Sequence, residues 1–330
     1  MTVTLFRFDG SVENIVMENI VMEKQLDYFL KFLPSIQVND SATNITVQNA
    51  KIKVSQNILY ANSPSVTTGP INYLSMSNID ADVNGATAIP FLFNWGPDSS
   101  DALIPLDPFG QKIKNGVLFF NNIKVTLNNS SNPIFNFNPN SVNVNTEINN
   151  IFIRDVVAFG GKRFFEYTGK GSDLTIDNIF YDPKRTVFGT GSDNAYAFNL
   201  NAKDGNITRV NLDKATVSEG RTNFIKMFAE SGNITRLKVV NFDFKTDITS
   251  AASDGHVTVE SQGAFKIELV KFIAGNIQSE ATSGNLFGVV GGTSNKKVLI
   301  NDLCVSKRTA TNIITPSSPI YTLGAEVLTI

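Results

Sequence analysis

Apolar and polar residues alternate along most of this chain, and the alternation is interrupted the same way many times over. The recurring unit is apolar–x–apolar, two connecting residues of which the second is usually Asn or Asp, then apolar–x–apolar. It reads "IVMENIVM" (Ile15–Met22), "ITVQNAKI" (Ile45–Ile52), "LSMSNIDA" (Leu74–Ala81), "LFFNNIKV" (Leu118–Val125) and "IFIRDVVA" (Ile151–Ala158). It continues with "LTIDNIFY" (Leu174–Tyr181), "ITRVNLDK" (Ile207–Lys214), "LKVVNFDF" (Leu237–Phe244), "IELVKFIA" (Ile267–Ala274) and "VLINDLCV" (Val298–Val305). Two copies deviate: Arg209 falls where an apolar residue is expected, and Lys271 takes the Asn slot. A period of two with Val, Ile, Thr and Phe between Gly, Asn and Ser clusters predicts strands.

Most copies follow one another at about thirty residues, with one interval of 23 and one of 44. Each carries a second apolar patch, such as "ILYAN" from Ile58, "PFLFNW" from Pro90 or "NFIKMF" from Asn223. A single unit of this size cannot bury its inner face, whereas stacked units enclose a continuous core and satisfy one another's backbone groups. The two-residue connector turns a corner, and Asn suits it because it tolerates the left-handed conformation. Amides stacked at that corner can bond up the column. The predicted asparagine ladder is Asn19, Asn49, Asn78, Asn122, Asp155, Asn178, Asn211 and Asn241, closed by Lys271 and Asp302.

The two-residue turn with its Asn column resembles that of the single-stranded right-handed parallel β-helix, or pectin-lyase-like, superfamily. The resemblance covers roughly residues 12–325. It implies an all-β, right-handed parallel β-helix, a solenoid of about ten rungs with about 30 residues per rung. Viral and phage spikes and other structural β-helix proteins are the members closest in character. The whole chain, 1–330, is expected to be one domain. Residues 1–42 form the first rungs, with a short helix over 23–34 where Leu26, Phe29, Leu30 and Leu33 fall at helical spacing. The long lap throws out a loop excursion over 96–115, and 306–330 make the last rung and tail.

Composition narrows the chemistry. The net charge of −2 and the scattered basic residues give no electrostatic footprint for nucleic acid. No apolar run is long enough to predict a membrane-inserted helix. One cysteine, Cys304, precludes an internal disulfide, and one histidine, His256, precludes a His-rich metal site. No cofactor or metal is expected. The start lacks the features of a secretory signal, so synthesis in the cytoplasm is expected. The Asn-Thr-Asp, Asp-Asp and Gly-His-Gly segments that the resemblance would imply for a pectin hydrolase do not occur. His256 is expected at a surface turn or strand start. The sequons at Asn44, Asn128, Asn129, Asn206 and Asn233 are expected to be bare.

Two groups of residues remain candidates. Glycoside hydrolysis needs two carboxylates a few ångströms apart, and Asp213, Glu219, Glu230 and Asp243 lie on neighbouring laps. The excursion holds Trp95 with Asp98, Asp101, Asp107 and Phe109, a set suited to ring stacking and hydroxyl recognition of a glycan. Strand-like sequence at both ends and no catalytic signature favour a non-enzymatic structural or recognition subunit of a larger assembly. A virus or phage particle component (capsid-associated, spike or fibre protein) at the particle surface is expected. Its partners would be copies of itself, with a trimer as one arrangement, and other structural proteins. The alternatives are a tailspike-like glycosidase or polysaccharide lyase, and a surface adhesin.

Overall fold

The computed structural model describes residues 2–33, 42–62, 70–95, 115–138, 147–183, 195–218, 220, 222–248, 255–279, 286–290, 297–306, 314–316 and 327–329. Among these there is no α-helix. The strands begin with β1 (Thr4–Phe8), β2 (Val12–Val21), β3 (Leu26–Phe32), β4 (Ala42–Asn62), β5 (Tyr73–Asn84), β6 (Phe91–Asn94) and β7 (Asn115–Asn128). Next come β8 (Phe135–Phe137), β9 (Glu147–Phe159), β10 (Phe165–Asp182), β11 (Tyr196–Val217), β12 (Asn223–Ala229) and β13 (Ile234–Thr246). The last are β14 (Val257–Ser261), β15 (Ile267–Ser279), β16 (Phe287–Val290), β17 (Lys297–Ser306), β18 (Ile314–Pro316) and β19 (Val327–Thr329).

All the strands belong to one sheet, and every pairing is parallel. Except for β1, β2, β18 and β19 at the two ends, each strand pairs with the strand one repeat earlier and one repeat later. One run passes through β2, β4, β5, β7, β9, β10, β11, β13, β15, β17 and β19. The other passes through β1, β3, β4, β6, β8, β10, β11, β12, β14, β16 and β18. Strands β4, β10 and β11 contribute to both runs. Parallel neighbours exchange backbone bonds without sharing a hairpin.

Within the first run the register holds from repeat to repeat: Ile45, Leu74, Leu118, Ile151, Leu174, Val210, Leu237 and Val270 are successive partners. All are buried. The bend follows four residues later, at left-handed φ: Asn19 56°, Asn49 55°, Asn78 53°, Asn122 50°, Asp155 52° and Asn178 52°, then Asn241 53° and Asp302 52°. Amides bond along this column. Asn49 Nδ2 donates to Asn19 Oδ1 at 3.3 Å, Asn78 to Asn49 at 2.9 Å and Asn122 to Asn78 at 2.8 Å. A second run starts at Asp155, which as a carboxylate has no N–H to pass downward and accepts from Asn178 at 2.5 Å.

Two expected ladder members sit elsewhere. Asn211 pairs with Thr175, three residues before the bend, and Lys214 (φ 48°) occupies the corner. Lys271 pairs with Lys238, and Ala274 (φ 53°) is the corner residue. In both repeats the pattern slipped by three. "VNLDKATV" places Val210, Leu212, Ala215 and Val217 inward with no misfit. In β15 the inward slot after the bend is Gly275, and a Cβ there would lie 2.1 Å from the Phe242 ring, which fills that space.

The expected helix over 23–34 is also overturned: residues 26–32 are strand β3. Tyr28, Leu30 and Phe32 pair with Thr4, Phe6 and Phe8 on one side, and Leu30 and Phe32 with Leu59 and Ala61 on the other. Two flanking strands outweigh a local spacing that Leu, Tyr and Phe satisfy either way. The interior is one continuous apolar cluster, rich in phenylalanine. Phe91 stacks on Phe135 with centroids 4.5 Å apart, and Phe135, Phe164 and Phe198 continue the contacts.

Candidate functional site

Trp95 is not presented to solvent. Its side chain is fully buried, 6.2 Å from the Phe32 ring between centroids, so the expected role of an exposed stacking platform is overturned. An indole at the end of β6 covers far more apolar area inward than a loop would leave it outside. Asp98, Asp101, Asp107 and Phe109 lie outside the described residues. Asn115, the first residue of β7, is buried; it donates to the Trp95 carbonyl at 2.7 Å and accepts from the Ile71 amide at 3.0 Å.

Three of the four carboxylates considered for catalysis, Asp213, Asp243 and Glu230, are each held in a separate contact. Asp213 precedes the bend of its repeat and accepts from Asn241 Nδ2 at 2.9 Å. Asp243 follows the bend of the next repeat, pairs with Thr216, accepts from Asn276 at 2.9 Å and meets Lys245 at 3.3 Å. Glu230 follows β12, in the other strand run. It accepts from Asn201 at 2.6 Å and pairs with Lys203 at 3.2 Å. The Asn201 bond, assisted by Lys203 and opposed by partial burial, holds its carboxyl below the usual range. A lowered carboxyl is ionised at neutral pH and does not supply the proton that an inverting or retaining glycosidase needs. Glu219 lies outside the described residues.

His256 is not at the surface. It immediately precedes β14 and is fully buried, with Nδ1 2.8 Å from Asn223 Oδ1, Nε2 2.8 Å from Ser279 Oγ and the Phe224 ring 5.3 Å away. Asn223 Oδ1 can only accept, so Nδ1 carries the proton of that bond. Those five sequon asparagines are likewise engaged: Asn44 donates to Asn14, Asn128 to Asp82 and Asn129 to Asn84, while Asn206 and Asn233 accept from backbone amides one repeat on.

What the outer surface does gather is a strip two residues beyond the bend. Val21, Lys51, Asp80, Lys124, Val157 and Phe180 are successive register partners, and all six are exposed. The next partners, Thr216, Asp243 and Asn276, are half-buried and polar. A shallow groove of about 430 Å³ runs beside the strip, between it and the amides of Asn49, Asn78 and Asn122. Lys51, Asp80 and Lys124 make no ion pair among the described residues. The sequence signal for this strip was available: its members are the second residue after each bend residue, a slot that reads as unremarkable strand until the repeats are aligned on the corner.

Comparison with protein-family models, with curated proteins and with solved structures finds no match to this chain.

Proposed function

We propose that the chain is a right-handed parallel β-helix of about ten rungs, akin to the pectin-lyase-like superfamily. In this reading it serves as a non-enzymatic structural subunit of a larger assembly. A virus or phage particle component, capsid-associated or part of a spike or fibre, is the role advanced, at the particle surface and in contact with other copies. The observation that carries the reading is the register kept through successive parallel pairings, with bend residues in one column. Such a body is stiff because every repeat is hydrogen-bonded along its length to the repeats on either side.

The use made of polar side chains supports the same reading. Carboxylates and amides that could have built a reaction centre instead tie one repeat to the next, as in Asn201–Glu230, Asp213–Asn241 and Asp243–Asn276. The test combines the native mass of the purified chain with incubation against acidic and neutral polysaccharides. The reading expects an oligomer and no release of reducing ends or unsaturated products. Product release abolished by E230Q or D243N would establish a polysaccharide-cleaving enzyme in its place.

A further inference from the structure

We propose that the exposed strip Val21–Lys51–Asp80–Lys124–Val157–Phe180 is a self-complementary contact by which two copies of the chain pack side by side in opposite directions. The inference rests on the oligomer reading above and assigns it a face. Three large apolar side chains stand in this strip at 68% (Val21), 37% (Val157) and 36% (Phe180) exposure, bracketing two lysines and an aspartate. Exposed apolar groups beside charges that make no ion pair among the described residues, in a row that becomes half-buried and polar at its next members, are the composition of a contact awaiting a partner.

The partner's identity follows from the order of the row. Its members recur at the strand spacing, roughly 4.8 Å, and a second copy repeats at the same spacing, so two such rows mesh without drift. Packed in the same direction about a two-fold axis, the rows would set Lys51 on Lys51 and Asp80 on Asp80, which like charges oppose. Packed in opposite directions, with the axis between the levels of Asp80 and Lys124, the first position faces the sixth. Val21 then meets Phe180 of the second copy, and Asp80 meets Lys124 of the second copy. The two-fold axis makes each contact occur twice. Lys51 faces Val157 of the second copy, where its aliphatic stem covers the valine while the ammonium reaches the rim. Shifting the axis by one strand toward Lys51 would still pair Lys51 with Asp80, but it would leave Val157 and Phe180 uncovered.

The experiment is sedimentation of the full chain over a range of concentration and salt, for the native sequence and four variants whose folding is checked by circular dichroism. The native chain is expected to dimerise, more weakly at high salt. D80K and K124D should each lower association tenfold or more, the double variant D80K/K124D should restore it, and F180D should lower it at all salt concentrations. A monomer at every concentration would overturn both this contact and the oligomer reading. An oligomer whose mass is indifferent to D80K, K124D and F180D would leave the oligomer reading standing and overturn the assignment of this face. A monomer that binds a sulfated oligosaccharide, with binding lost in K124D, would overturn the contact and give the strip to a glycan.

Discussion

Asn115 Nδ2 donates to the main-chain carbonyl of Trp95 across 2.7 Å, so the first residue of β7 and the residue that follows β6 are tied together by one buried amide. The same side chain accepts the Ile71 amide, which fastens the closure to the preceding repeat. Asn115→Ala removes both bonds, and a third that Nδ2 donates to the Glu147 carbonyl at 3.3 Å, around a fully buried side chain. It should destabilise the fold by about 2–4 kcal/mol, seen as a lower urea midpoint with an unchanged slope.

Trp95 is the only tryptophan, so indole emission under selective excitation reports on it alone. Its emission should be that of a buried indole, resistant to iodide and unchanged by added oligosaccharides. Trp95→Ala should cost about 3–5 kcal/mol. Ready quenching in the native state would contradict its placement against Phe32.

The bend column makes a prediction of opposite sign at its irregular members. Ala274 and Lys214 adopt φ of 53° and 48° without the amide that makes such angles tolerable. Ala274→Gly should stabilise by about 1 kcal/mol through relief of strain. Lys214→Asn should gain a similar amount, since Asn178 and Asn241 stand in the flanking corners. Asn78→Ala, which loses the bonds to Asn49 and Asn122 as well as the favourable φ, should cost about 2 kcal/mol. Equilibrium denaturation of the four proteins checks the order.

Glu230 gives a pH dependence. Because its folded carboxyl titrates below the ordinary glutamate range, its contribution is fully present above the unfolded value, near 4.3, and disappears as pH falls through the folded value. The stability gap between the native chain and E230Q should therefore be constant from pH 8 to 5 and close on further acidification. Asn201→Ala, which removes the largest cause of the shift, should narrow the gap at pH 7.

Much of the architecture was legible because it repeats. The near-identical phrases "GNITRV" and "GNITRL" prove to be stacked: Asn233 N–H bonds to Asn206 Oδ1 at 2.9 Å, and Lys266 N–H to Asn233 Oδ1 at the same distance. The glycine is explained too, since a Cβ on Gly232 would lie 1.8 Å from the Gly205 carbonyl oxygen. What misled was local. Arg209 marked a register slip, because the unit three residues later, ending in Ala215 and Val217, fits with no exception. Leu26, Phe29, Leu30 and Leu33 satisfied a helical period, but the neighbours of β3 decide its state and are distant in sequence. Trp95 shares its stretch with Gly, Pro and Asp, which speak for a loop, yet its ring packs inward immediately after β6. His256 lacked any motif, and its partners Asn223 and Ser279 are 33 and 23 residues away. The outward strip could be listed from the repeats, but its exposure depends on what neighbouring repeats cover.

The central claim is that repeats stack at constant spacing, and one distance tests it most directly. Thr46 and Lys238 are joined through Ser75, Phe119, Phe152, Thr175 and Asn211 by six successive pairings. Nitroxides at these two positions, in a Cys304→Ser background diluted with unlabelled chain, should show a single pulsed dipolar distance of roughly 29 Å, six strand spacings. A distribution centred beyond 40 Å or below 20 Å would contradict the stack.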